Sequence, residues 1–185
     1  MTYSKHQKGK LLIADPSILN DNSFNRTIIL LTEHTQNNTV GFILNRPLEY
    51  SINDLLPDVN CDFSIYQGGP VEQDNLYFVH KVPDLISESI EISNGIFWGG
   101  NFESLKNALN NELISENDIR FFLGYSGWTK NQLEREINSK SWFVSENDYE
   151  NIFATNEEIL WREKLLQKGG NYKLWANAPG DIQLN

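Results

Sequence analysis

The chain has 185 residues, enough for one domain with a real hydrophobic core, and no Pro/Gly/Ser linker, block of like charge or internal repeat divides it. Its longest apolar stretches, such as Thr27–Thr32 and Arg120–Leu123, are strand-sized, far short of the roughly 20 residues a membrane helix needs. Fifteen Lys and Arg against twenty-five Asp and Glu give a formal charge of −10 with the cations scattered, which disfavours direct binding to nucleic acid, whose affinity comes from a basic face.

Met1–Lys10 carries basic residues, but only Leu11–Ala14 follows before Asp15, so no signal peptide can be built and a cytoplasmic protein is expected. Lys10–Ala14 reads as a strand closed by Asp15-Pro16, because Pro pushes its predecessor extended and cannot donate to a ladder. Thr27–Glu33 and Thr39–Leu44 are β-branched, apolar runs separated by Thr35–Asn38, which predicts an antiparallel pair. Asn45-Arg46-Pro47 closes the second run. Ser51–Asp54 is close to a capping box and predicts a helix of one to two turns before Pro57. Cys61 is the only cysteine, which excludes an intrachain disulfide; it reads as a small half-buried residue, with a thiol nucleophile left formally open.

Phe63–Gln67 and Leu76–His80 are strand-like and flank the turn at Gly68-Gly69-Pro70. Asn94-Gly95 between Ser89–Ser93 and Gly95–Trp98 is the strongest short hairpin signal in the chain. Asn101 caps a helix with Phe102, Leu105, Leu109 and Leu113 at helical spacing. Asp118–Tyr125 returns to strand, and Thr129–Gln132 is a capping box opening a helix with Leu133 and Ile137 on one face. Ser141–Ser145 is strand-like. Thr155–Glu158 opens the last helix, which Gly169-Gly170 ends; Asn171–Asn185 reads as an extended tail anchored by Tyr172, Leu174 and Trp175.

Strands in adjacent antiparallel runs, with helices mainly in the second half, do not alternate as in a doubly wound parallel sheet. The expected fold is a single domain over residues 1–185, of mixed α/β (α+β) class. It has a largely antiparallel mixed sheet with a barrel-like element, surrounded by helices.

The candidate chemistry is sparse. Gly124-Tyr125-Ser126-Gly127-Trp128 lies between a strand and a helix, as a nucleophile elbow does, but position 128 is Trp where that motif needs Gly. A structural turn, with Trp128 packing before the Thr129 cap, accounts for it better. Asn45-Arg46 offers a permanently charged fork suited to phosphate or carboxylate, or equally to a salt bridge or loop carbonyls. Gly68-Gly69 lets backbone amides approach an anion, but Pro70 removes one donor and no Lys-Ser/Thr helix follows, so a tight turn is the better reading. His34 and His80 end predicted strands and His6 lies near the start. Without HxH, HxxxH or HExxH spacing they make no metal site, and a lone strand-end His reads as a hydrogen-bonded surface residue.

Several motifs occur in one order: Gly9–Pro16, Asp21–Arg26 with Phe24 and Arg26, Gly41–Pro47, Gln67–Val71, Gly124–Trp128 followed by Gln132-Leu133-Glu134, and Asp181–Asn185. Together they resemble the bacterial YqgE/AlgH family over nearly the whole chain. The resemblance implies a mixed α/β fold with a barrel-like sheet ringed by helices, and a regulator linked to transcriptional control in alginate-producing bacteria. It brings no agreed catalytic residues and no cofactor. Ser126 stands where Ala is the commoner residue expected, which weakens a serine nucleophile further.

The leading expectation is therefore a cytoplasmic, non-enzymatic regulatory protein with a protein partner, no cofactor and no metal. Its candidate binding residues are Asn45, Arg46, Gly68, Gly69, Pro70, His80, Ser126 and Trp128. The alternative is a small-molecule or nucleotide-processing enzyme around Arg46, Gly68, Gly69 and His80, which requires these groups to meet at one ligand position.

Overall fold

The structure, a computed structural model, describes residues 8–178; His6 and the Asp181–Asn185 motif lie outside them. The first half of the chain forms β1 (Leu11–Ala14), β2 (Ile28–His34), β3 (Asn38–Ile43), β4 (Pro47–Ser51), α1 (Ile52–Leu55), β5 (Ser64–Gln67) and β6 (Val71–His80). The second half forms β7 (Ile90–Ser93), β8 (Ile96–Trp98), α2 (Phe102–Asn110), β9 (Ile119–Thr129), α3 (Gln132–Asn138), β10 (Trp142–Ser145), α4 (Glu157–Lys168) and α5 (Tyr172–Ala176). Among the described residues no helix is long and apolar enough to cross a membrane.

The strands join in one sheet of order β10-β1-β2-β3-β9-β6-β8-β7, with β4 on β5 and β5 on β9. The β5–β9 pair is parallel, and the other pairings are antiparallel. This is the expected mixed, largely antiparallel class. The sheet curls but does not close. Its ends approach across a cleft of about 500 Å³ lined by Gly9, Lys10, Ser93 and Glu146, where side chains stand in for ladder bonds. There Lys8 Nζ reaches across to Glu91 O of β7 at 2.5 Å, while Lys10 and Glu146 pair at 2.8 Å on the β1–β10 side.

β9 carries the molecule because its alternation serves two cores at once. Phe121 packs with Ile52, Ile65, Phe78, Leu105 and Leu109, whereas the next residue, Phe122, faces Phe42, Leu30 and Val79. On one edge β9 pairs with β6; on the other it pairs first with β5 at Phe121–Leu123 and then with β3 at Ser126–Thr129. A strand with partners on both edges and apolar cover on both faces is expected to be the last part of the sheet to open.

Four local expectations change. The strand does not stop at Tyr125: β9 runs to Thr129, and the register slip against β6, from Val71↔Tyr125 to Leu76↔Leu123, makes Gly124 (φ +69°) a bulge inside a strand rather than a terminal turn. Pro47 opens the unforeseen strand β4, pairing with Tyr66, since the first residue of a strand is a place where a missing N–H is tolerated. α2 ends at Asn110, so Leu113 falls past the helix and is exposed, and Ala108 joins Leu105 and Leu109 on the buried face. The tail is helical over α5 rather than extended. Tyr172 docks by donating to Asp15 Oδ2 at 2.9 Å, while Leu174 is 75% exposed. The Asn94-Gly95 hairpin forms as expected, with φ of 51° and 76° at the two turn residues.

Candidate functional site

The three glycine motifs meet at one place, and they meet through backbone. Gly41 of β3 lies opposite Ser126 of β9. Gly68 N–H donates to Leu123 O (2.8 Å), Ile43 N–H donates to Gly68 O (2.9 Å), and the buried Ser126 hydroxyl donates to the same oxygen (3.0 Å). The segment after β5 thus fills the seam where β9 changes partner from β5 to β3. Space there is so small that a Cβ on Gly68 would lie 2.2 Å from Gly124 O, and one on Gly69 2.2 Å from the Tyr125 carbonyl carbon. Gly68, Gly69 and Ser126 are brought together, and what they form is a strand crossing. Pro70 sits exposed at its edge.

The other residues singled out from the sequence go elsewhere. Asn45 clamps the entry to β2: its side chain accepts from Ile28 N–H and donates to Arg26 O, both at 2.9 Å. Arg46 turns its fork on the neighbouring loop, giving Nη1 to Asn22 O (3.2 Å) and Ser23 O (2.6 Å) and Nη2 to Asn25 O (3.0 Å). His80 is fully buried rather than on the surface. Its Nδ1 accepts from Val82 N–H (3.2 Å), which leaves Nε2 to carry the proton and donate to Gly99 O (3.1 Å), and burial holds its pKa below the ordinary value. Trp128 is buried against Phe24 and Trp142; both indole N–H groups donate to Glu136 Oε2 at 2.8 Å. Arg46 bonded to its loop, Gly68 against Gly124 and His80 beneath Gly99 thus have separate sets of partners. His34 is hydrogen-bonded to Thr39 at 2.7 Å, and no group of three or more potential metal ligands gathers among the described residues. Cys61 is half-buried, and desolvation raises its pKa, as suits a packing residue.

What the sequence reading missed is a pair of clefts where the start of α4 lies against the sheet. One, of about 360 Å³, is lined by Arg26, Arg46, Trp161 and Arg162; the other, of about 420 Å³, by Tyr66, Glu116, Arg120 and Thr155; Glu157 borders both. Four of the chain's five arginines therefore collect here. Arg120 is only 5% exposed. It donates from Nη1 to Leu44 O (2.8 Å) and from Nη2 to Phe153 O (2.9 Å), with its plane 4.2 Å from the centre of the Tyr66 ring. Arg26 lies 5.2 Å from the Trp161 ring centre and donates to Ala178 O (3.2 Å). The α4 end that borders both clefts is built by Asn156, whose side chain accepts from Glu158 N–H at 2.9 Å. One sequence signal was available: Arg120 opens the apolar run Arg120–Leu123, and a charge on a doubly covered strand needs a reason to be there.

These features define a class of α+β protein with one open, largely antiparallel sheet, threaded by glycines where three strands cross. The chain belongs to the AlgH-like family, whose model matches residues 11–173. It is 40% identical over 178 residues to a UPF0301 protein of Chlorobium limicola, covering 96% of this chain and 95% of that one. A UPF0301 protein of Cytophaga hutchinsonii is 38% identical over 180 residues, covering 96% and 98%. In fold the chain is similar to the AlgH protein of Pseudomonas aeruginosa in its solution structure, with a TM-score of 0.73 at 24% identity over 98% of this chain and 99% of that one. It is equally similar to a crystal structure of a Corynebacterium diphtheriae protein, with a TM-score of 0.73 at 22% identity over 96% and 95%.

Proposed function

We propose that this is a cytoplasmic regulatory protein that acts by binding a protein partner rather than by turning over a substrate. The observation that carries the reading is the gathering of Arg26, Arg46 and Arg162 around one cleft at the start of α4, outnumbering Glu157 and Glu158 there, on a chain of formal charge −10. A local cationic face on an acidic protein attracts an acidic segment while the rest of the surface repels polyanions such as DNA. The exposed Arg162, held by Asn177 Oδ1 at 3.0 Å, and the aromatic-backed Arg26 supply the kind of contacts that anchor interfaces. A second support is that Arg46, His80 and Ser126 each donate to backbone carbonyls, a use that suits holding the fold. Control of transcription, if it runs through this protein, then passes through the partner.

The test is affinity capture with the wild-type protein and with Arg162→Glu in parallel, followed by identification and binding measurement with the purified partner. The reading requires a protein bound by the wild type at least tenfold more tightly than by the variant. Equal retention by both, or reproducible turnover by the protein alone, overturns it. Salt-dependent binding to duplex DNA at low ionic strength would replace it with a direct DNA-binding mode.

A further inference from the structure

We propose that the Arg120 cavity is a binding site for a small amphoteric molecule of the amino-acid class, its carboxylate on Arg120 and its ammonium on Glu116 and Glu157. This goes beyond the partner-binding reading and does not depend on it.

The argument begins with the charge on Arg120. A guanidinium stays protonated and carries five N–H donors. Arg120 is 5% exposed, yet its hydrogen bonds to described residues are the two to Leu44 O and Phe153 O, and it takes part in none of the ion pairs among those residues. The negative charges that face this desolvated cation are Glu116 and Glu157, within electrostatic reach across the cavity but not in ion-pair contact, which leaves room for a ligand between them. The guanidinium's remaining donor capacity lies in the wall of a cavity of about 420 Å³, large enough for an amino acid. The Tyr66 ring at 4.2 Å fixes the guanidinium plane, so the fork is held before any ligand arrives.

The walls set the other half of the ligand. Glu116 Oε1 accepts from Ser64 N–H (3.2 Å), and Glu157 Oε1 accepts from the Tyr66 hydroxyl (3.4 Å), each with a second oxygen to offer. Two carboxylates beside the guanidinium repel a simple anion such as phosphate, and Arg120 repels a simple cation. A molecule bearing both charges a few ångströms apart satisfies all three groups. Asn117 and Thr155, also on the wall, add neutral hydrogen-bonding capacity.

The experiment is a two-dimensional ¹⁵N–¹H titration of the full chain with each of the twenty L-amino acids, and with acetate and methylammonium as single-charge probes. At least one amino acid should shift the amides of residues 64–66, 116–120 and 154–157 with saturation below 1 mM. Both single-charge probes should bind at least tenfold more weakly. Glu157→Gln lies at the cavity mouth and should weaken the amino acid tenfold or more while leaving the remaining spectrum folded. Arg120→Lys should do the same where it folds, and the Glu157→Gln result decides the matter where it does not. No saturable shift with any amino acid, shifts confined to other residues, or acetate binding as tightly as the amino acid would overturn the proposal. None of these outcomes requires the protein partner, so the two readings fail separately.

Discussion

The glycine crossing and the arginine clefts are opposites in how sequence becomes structure. The crossing is built from three conspicuous motifs, each short and continuous in the chain, and their polar groups meet one another. The Arg120 cavity is built from single residues dispersed between Ser64 and Glu157, none of which lies in one of the family motifs, and only its neighbouring cleft draws Arg26 and Arg46 from two of them. The comparison teaches that a motif's visibility reports how tightly the backbone is constrained there. Sites for a ligand or partner can be assembled instead from residues that look ordinary in the chain.

Breaking the crossing should have the largest effect. Gly68→Ala puts a Cβ 2.2 Å from the Gly124 carbonyl oxygen, where only backbone movement makes room, and should cost more than ~3 kcal/mol in chemical denaturation. A cost under ~1 kcal/mol would show that the seam is loose. Glu136→Gln comes next, because one carboxylate oxygen receives both indole N–H bonds; about 2 kcal/mol is expected from the lost charge-assisted pair, read in the same assay.

Ser126→Ala removes one buried donor to an oxygen that keeps its bond from Ile43 N–H, so about 1 kcal/mol is expected. Any activity found in the protein should survive this change, and its loss would restore a chemical role to the crossing. His80 supplies a pH signature. Its folded pKa lies below the ordinary imidazole value of about 6.5, so its contribution is fully present above pH ~6.5 and declines as acid protonates the unfolded chain first. The midpoint of denaturation should therefore fall below pH ~6.5 and flatten in His80→Gln. Smallest of all, Arg162→Glu on the exposed side of the cleft should change stability by less than ~0.5 kcal/mol, sharpening the contrast if it removes partner binding.

Much of the fold was legible because its signals are local. The β2–β3 pair, the Asn94-Gly95 hairpin, the Ser51 capping box and the Asn101 cap follow from residues within a few positions of one another. The failures arose where a distant segment decided the outcome. Gly124 reads as a strand end until β6 is seen pairing on both sides of it, and Pro47 reads as a stop until Tyr66 arrives beside it. His80 reads as a surface residue until Gly99 and Phe97 cover it. Of the candidate site, Arg46 was visible as a charged fork, but its loop carbonyls were not. Arg120, Glu157 and Tyr66 were invisible as a set because Glu157 lies 37 positions after the arginine and Tyr66 lies 54 before it; of the cavity's charged groups only Glu116 is near Arg120 in the chain.

The paired indoles have an optical consequence. Trp128 and Trp142 stand with ring centres 6.0 Å apart and planes at 85°, both fastened to the same carboxylate. Two such chromophores at this separation exchange excitation, and a fixed, non-parallel arrangement gives their transitions opposite rotational strengths. The pair is thus expected to act as a stereochemical label, a far-ultraviolet dichroic couplet that reports whether β9, β10 and α3 are in register and that is lost when either tryptophan is replaced by phenylalanine.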